Sequence, residues 1–396
     1  MNVKLKIPLP PEGMTARRLL MNFLGQLAGE ADVSIWNNNA VLSAPSRKDL
    51  VVAINGCMKD AGEGLKISLT REPGRLLDFP IHINDQKWIF AKRFGKVERG
   101  FCKVISEILI DSDISWSELS RDLQSIDASL KHVRLGVKDL MAMPQPFLYE
   151  RYQASYEFLR GRGGEKIEFK ASRAWMYLLF AGFAVGYCGN FDNELVIAFI
   201  PESTLARMFK DEGFWNMMAG GEGLLPTFRE LNLPPRPATA YMLYFACTFA
   251  EKMWTKWHII DEVLKRERPI IELDRVARSP QAFTLVERIS LDLGSLLHGI
   301  SKLSEESIGW IRRKARKTLV GFRGAPQHFG DYAMLTAMIF QVLTGSRDPT
   351  DLCYYALRVV AEHEAEQLKT QEEKVRGFIA EGRRIRRLLR ELVFEA

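Results

Sequence analysis

The sequence is poor in the residues that most enzyme chemistry needs. Its 396 residues include six histidines, His82, His132, His258, His298, His328 and His363, scattered along the chain. Each reads as a partly buried or surface side chain rather than as a base or a metal ligand. There is no G-x-x-x-x-G-K-[ST] phosphate loop, no H-E-x-x-H helix and no G-x-S-x-G elbow. The glycine pairs at 161–166 and 219–223 lack the strand-to-helix setting of a phosphate cradle and read as loops. Asp111 and Asp113 precede a helix start, where acids favour the dipole whether or not they meet a metal. No catalytic residue, cofactor or resident metal is expected. An absent motif ranks catalysis below binding without excluding it.

Paired cysteines are also missing. Cys57, Cys102, Cys188, Cys247 and Cys353 are odd in number, far apart and never in a C-x-x-C pair. That excludes a zinc framework and a disulfide scaffold, and fits buried thiols of a reducing compartment. Long hydrophobic runs are missing too. The most membrane-like segment, Ala174 to Cys188, is shorter than the roughly 20 residues of a spanning helix. Its Gly182-x-x-x-Gly186 reads as a close-packing motif or as plain core. The opening "MNVKLKIPLPPEG" has no apolar secretory region. A cytoplasmic location and no membrane partner are expected.

What is present is a core-forming composition, 47% hydrophobic with 10% aromatics, long enough for two or three domains. The net charge of +6 is mild but unevenly spread, which suggests anionic partners met at defined surfaces. The fold class predicted is α+β, with an N-terminal ferredoxin-like α/β region, a mixed middle region and a C-terminal helical bundle. Along 3–70, "VKLKI", a helix over 14–30, "DVSIW", "AVLS", a helix over 45–62 opened by a Ser46-x-x-Asp49 box, and "LKISLT" give β-α-β-β-α-β. "VKLKI" and "AVLS" lack the aromatics of an RRM-type stacking surface. "PIHIN" and "KWIFAK" read as further strands, and helices follow at about 100–112 and 116–140, the second opened by Ser115-x-x-Glu118. "MPQP" at 143–146 and "NLPPRP" at 232–237 read as breaks. The domains drawn are 1–142, α/β with a helical extension, 147–233, mixed, and 238–396. Helices are predicted at 238–266, 280–300, 305–320, 330–344, 348–369 and 371–393, with "EKIEFK" and "ELVIAFIP" as strands of the middle region.

The densest charge lies in "GWIRRKARKTLVGFRGAPQHF". Arg312, Arg313, Arg316 and Lys317 share one helical face, Lys314 is a further cation and binding candidate of the same stretch, and Arg323 and Gln327 lie in the loop beyond. Ile311, Ala315, Leu319 and Val320 form the face that docks. The basic face suits phosphate contacts or a solvated surface, and its like charges call for an outside partner or an acidic helix of the bundle. In "QKWIFAKRFGKVERGFCK", Lys87, Lys92, Arg93 and Lys96 alternate with Trp88, Phe90 and Phe94, as in a nucleic-acid groove or a half-buried strand. Asn37, Asn38 and Asn39 read as turn chemistry or as a groove-probing hairpin tip. The closing "GRRIRRLLREL" is balanced by the acids before it, so pairing within the chain is its default.

This layout, with the apolar glycine-containing run and extended strand of "LLFAGFAVGYCGNFDNELVIAFIPES" (178–203), resembles the large subunit of archaeal type I-A CRISPR surveillance (Cascade) complexes. The resemblance implies a non-catalytic subunit that contacts the handle of the CRISPR RNA and double-stranded target DNA. It implies recognition of the protospacer-adjacent motif, contacts with other surveillance-complex subunits and recruitment of a helicase-nuclease. Under it, Asn37, Asn38, Asn39, Asn84, Gln86, Lys87 and Gln327 are the motif-reading candidates. The family does not require the ferredoxin-like start, which leaves open an RNA- or nucleotide-processing enzyme with an unrecognised site. A scaffold whose basic helices bind acidic proteins is the third reading.

Overall fold

The computed structural model describes residues 2–70, 78–129, 132–149, 168–191, 193–231, 233, 235–279, 282–321, 329–357 and 370–394. The chain is α+β and forms two compact units. The first comprises Met1–Gly221, Phe228–Glu230 and Ile271–Ser290, and the second comprises Glu222–Thr227, Leu231–Ile270 and Leu291–Ala396.

The first unit begins with β1 (Val3–Pro8), α1 (Thr15–Leu27), β2 (Asp32–Trp36), β3 (Asn39–Ala44) and α2 (Arg47–Thr70). The three strands form an antiparallel sheet in the order β1-β3-β2. Alternation decides their faces: Leu5, Ile7, Ala40 and Leu42 are buried, while Lys4 and Lys6 point to solvent. Asn37 and Asn38 both have positive φ, as a two-residue type I′ hairpin loop requires. Ser46 opens α2 by accepting the Asp49 amide at 3.2 Å.

The ferredoxin-like order thus runs through its fifth element and stops. "LKISLT" is the end of α2, not a sixth-element strand. The buried stripe Leu50, Ile54, Met58, Ala61 and Leu65 keeps helical spacing to that end, while Ile67 is exposed. "PIHIN" and "KWIFAK" are not strands either. Beyond a bridge between Pro80 and Gly100, residues Ile83–Asp85, Gln86–Ala91 and Lys92–Phe94 are helical, the middle stretch a π turn. Ile89 and Phe90 are buried side by side, which a period-2 strand cannot arrange.

Then come α3 (Phe101–Ile110) and α4 (Trp116–Asp122), the latter opened by the capping box of Ser115 and Glu118. The predicted helix to 140 ends at Asp122. A second sheet follows, with β4 (Ile126–Ala128), β5 (His132–Leu135), β6 (Met141–Ala142) and β7 (Glu168–Ala171) in the order β4-β5-β7-β6. Val133 and Leu135 are buried and their neighbours half-buried, the alternation of a strand. Parallel pairing of β5 with β7 joins the two sides of 143–146 in one sheet. Phe147 beside that segment is wholly buried, so the chain does not divide there.

The apolar run forms α5 (Arg173–Gly186), which crosses α1 at Gly182. A Cβ at Gly182 would lie 1.8 Å from the Leu19 carbonyl oxygen. The glycine motif is therefore a close crossing of two backbones. β8 (Tyr187–Phe191) and β9 (Glu194–Phe199) follow, then α6 (Glu202–Met208) and α7 (Glu212–Ala219). The third sheet has the order β11-β10-β9-β8, with β10 (Ile270–Arg278) and β11 (Phe283–Asp292) returning from later in the chain. The helix predicted at 280–300 is therefore strand β11 for its first half. Buried Asp274 and Arg275 of β10 pair with Arg288 and Glu287 of β11, a cross-strand tie that periodicity does not carry.

The second unit is helical: α8 (Ala238–Lys252), α9 (Trp257–Leu264), α10 (Gly294–Ser301), α11 (Glu305–Gly321), α12 (Phe329–Leu343), α13 (Pro349–Tyr355) and α14 (Gln371–Phe394). α11 is its centre, packed on α8, α12 and α14. Residues 358–369 of the helix predicted at 348–369 lie outside the described residues. Among the described residues, no helix is long and apolar enough to cross a membrane.

Candidate nucleic-acid interface

The basic helix α11 is divided by its packing. Ile311, Ala315 and Leu319 are buried as predicted, but Val320 is exposed. Lys314 is not on the cationic surface. It is 4% exposed and ion-paired with Glu381 of α14, which also accepts from Trp310 Nε1 at 2.7 Å. Burial alone would raise the Glu381 carboxyl, but the Lys314 ammonium and the two further donors hold it below its ordinary value. Arg312 is half-buried and paired with Glu251 of α8, leaving Arg313, Arg316 and Lys317 exposed. The compensating acids are therefore those of neighbouring helices. Arg323 and Gln327 lie outside the described residues.

In the closing helix, Glu381 binds Arg384 and Glu306 of α11 binds Arg387, which is the pairing within the chain predicted for that segment. Arg383, Arg386 and Arg390 remain exposed.

The second cluster is better arranged. Over 83–93 the inward side carries Asp85, Ile89 and Phe90, and Phe90 stacks on Phe180 of α5 at 6.0 Å. Outward stand Asn84, Lys87, Trp88, Lys92 and Arg93. Trp88 is 52% exposed, and the Lys87 and Lys92 ammonium groups each lie 5.0 Å from its ring. The wide π turn presents these side chains on one surface, and such turns occur often at functional sites. Neither lysine makes an ion pair among the described residues. An exposed indole between two cations offers a stacking face for a base with positive charge for its flanking phosphates.

Several predicted members do not join this surface. Lys96 turns to Asp111 at 2.8 Å and Glu107 at 3.5 Å. Gln86 donates to the Lys96 carbonyl at 3.1 Å, so its amide holds the turn together. At the hairpin tip, Asn38 Oδ1 accepts from Arg17 at 2.6 Å and Asn39 Nδ2 donates to the Asn37 carbonyl at 2.6 Å. These amides do turn chemistry, and the Asn37 side chain is exposed. Asp111 is taken by Lys96, and Asp113 accepts from Asn55 at 3.0 Å.

Two features escaped the sequence reading. Arg17, buried in α1, holds the hairpin tip from below and binds Glu202 at 2.9 Å. Trp36 stands beside the asparagine turn, exposed rather than packed. The aromatic preceding "NNN" was the available signal.

Compared with known proteins, the chain matches no family model, no curated protein and no solved structure.

Proposed function

We propose that the chain is a non-catalytic nucleic-acid-binding subunit of an RNA-guided surveillance complex, of the kind formed by the type I-A CRISPR large subunit. It works in the cytoplasm beside other subunits, contacts the CRISPR RNA handle and the target duplex, senses the protospacer-adjacent motif and recruits the helicase-nuclease. The observation that carries the nucleic-acid part is the exposed Trp88 flanked by Lys87 and Lys92, with Asn84 and Arg93 on the same surface. Lysine and arginine dock on phosphates and set register, while the Asn84 amide and the indole meet bases. The indole suits a base released as the duplex opens. Arg313, Arg316 and Lys317 supply a second cationic surface, on the other unit, for phosphate or for an acidic subunit.

Two measurements test the reading. Binding of a labelled duplex is followed against salt concentration. Replacing Lys87, Lys92 and Arg93 by Gln is expected to reduce the slope of log K against log salt by about 2.7, near 0.9 per phosphate contact. A flat salt response of the parent chain overturns the nucleic-acid reading. Recovery of the tagged chain from its host is expected to bring a short RNA with a constant 5′ handle and repeated backbone subunits. Recovery without such RNA overturns the surveillance-complex reading.

A further inference from the structure

The outer face of the N-terminal sheet carries nothing among the described residues, and its side chains follow from the register. On β1, Lys4 and Lys6 point outward, opposite Ser43 and Val41 of β3. On β2, Asp32, Ser34 and Trp36 point the same way, opposite Ser43, Val41 and Asn39. Three rows result: Lys4–Ser43–Asp32, then Lys6–Val41–Ser34, then Pro8–Asn39–Trp36. The inner rows, with Leu5, Ile7, Ala40 and Leu42, are buried, so the alternation leaves no doubt about which face is open. Trp36 is 73% exposed, an unusual place for a residue with so much apolar surface to hide.

We propose that this face binds an unpaired nucleic-acid strand, one base stacked on Trp36 and the backbone running along β1 over Lys6 and Lys4. Spacing supports the path. Lys4 and Lys6 are two residues apart on one strand, about 6.8 Å, a step commensurate with the phosphate repeat of an extended strand. Trp36 lies one row further along and two strands across, roughly 10 Å to the side, which is where a base projects from that backbone. Ser34, Val41 and Ser43 are small and keep the floor between them low. Asp32 stands at the far end of β2 from Trp36 and directs the polyanion to the β1 side. A duplex is a poor occupant, because its bases are hidden in the stack and a flat face with no protruding helix or loop does not enter a groove. The aromatic sits on an edge strand and the cations on the positions where an RRM keeps its aromatics, so this is a different arrangement from that module. The inference rests on the proposed function only in that both concern nucleic acid.

The test uses the full chain and labelled oligothymidylate, read by fluorescence anisotropy. Trp36→Ala is expected to weaken binding about 5- to 150-fold, the range of one base–aromatic stack, and Trp36→Phe to restore much of it. Lys4→Gln with Lys6→Gln is expected to lower the salt slope by about 1.4, near 0.7 per single-strand contact. Because Trp88 is a second candidate stacking face, Trp36→Ala is also made in a Trp88→Ala chain, where it is expected to weaken oligothymidylate binding by the same roughly 5- to 150-fold. Unchanged oligothymidylate binding in Trp36→Ala overturns the proposal and leaves the Trp88 surface standing. Loss of a co-purifying protein in Trp36→Ala, with strand binding intact, overturns it in favour of a protein partner. Parent chain that binds neither strand nor duplex overturns both.

Discussion

Glu381→Gln is the sharpest probe of how the basic helix is built. The change removes one negative charge from a site where both partners are buried, Glu381 at 3% and Lys314 at 4% exposure. Gln keeps the volume and can still accept from Trp310 Nε1, so the perturbation is close to pure charge. Lys314 is then an ammonium without its counterion in the interior. Breaking a buried pair from one side costs about 3–5 kcal/mol. In native-state hydrogen exchange, amides of α11 and α14 should lose protection by roughly a hundred- to several-thousand-fold, capped by the stability of that unit. Exchange is the right assay because the chain has two compact units and a single unfolding midpoint would mix them. Lys314→Met added to Glu381→Gln removes the stranded charge and should recover all but about 1–2 kcal/mol.

The pH dependence has a definite sign. Because the folded Glu381 carboxyl sits below its ordinary value, its contribution is complete above about pH 4.3 and disappears as pH falls through the folded value. The double variant should lack this acid limb. It should also bind duplex with the parent's salt slope, since Lys314 is not available to phosphate. Arg313→Gln with Arg316→Gln should lower that slope by about 1.8 if α11 lies on the duplex. A cost below about 1 kcal/mol for Glu381→Gln would refute the argument, because the pair would then be solvated and Lys314 free to serve the surface.

Three further outcomes follow from the first unit. Gly182→Ala should cost about 3 kcal/mol or more in urea unfolding, because its Cβ meets the Leu19 carbonyl oxygen and backbone cannot give way cheaply. Burial pushes the Asp85 carboxyl up to about 6, against the Gln145 amide and His82, which lower it. The folded state therefore holds the proton more tightly, so stability should fall between about pH 4 and pH 6, and Asp85→Asn should flatten that limb and gain up to about 3 kcal/mol at pH 7. Asn38→Ala should cost about 1–2 kcal/mol for its positive φ, with the Arg17 bond lost as well, whereas Asn38→Gly should keep the turn and lose only that bond. Comparing the two by thermal unfolding separates strain from hydrogen bonding.

Much of the architecture was legible where one period governs. β1 to β3 show alternation because one face is buried, and α1 and α2 carry their helical stripe without interruption. The capping box at Ser115 and the Ser46 cap of α2 are local chemistry and appear where the spacing puts them. Failures came where a distant segment decides. "LKISLT" has strand-like composition, but the stripe of Leu50 to Leu65 carries the helix through it. β11 is held by pairs to Asp274 and Arg275 that no window around residue 285 contains. Lys314 falls on the helical wheel among Ser307, Trp310, Ile311 and Thr318, all buried, so its place inside was legible there, and what the sequence does not show is its partner, Glu381 of α14. "KWIFAK" read as alternating, yet Ile89 and Phe90 turn inward together and leave Trp88 out.

Counting cations in a sequence therefore overstates an interface. Among the described basic residues of the two clusters, Lys314, Arg312 and Lys96 pair with acids of their own unit, while Lys87, Lys92 and Arg93 in one place and Arg313, Arg316 and Lys317 in another are exposed. Three contacts on a duplex give a salt slope near −2.7, so raising salt from about 50 to about 200 mM weakens binding only about 40-fold. A protein with six to ten contacts loses roughly a thousand-fold or more over the same range. Under the proposed function, a chain with three such contacts binds weakly alone. Held in an assembly that already grips the polymer, the same three contacts act at a high effective concentration, and their selectivity then decides the outcome. The slope and its change on substitution, not the dissociation constant of the isolated chain, are what separate a nucleic-acid surface from a solvated one.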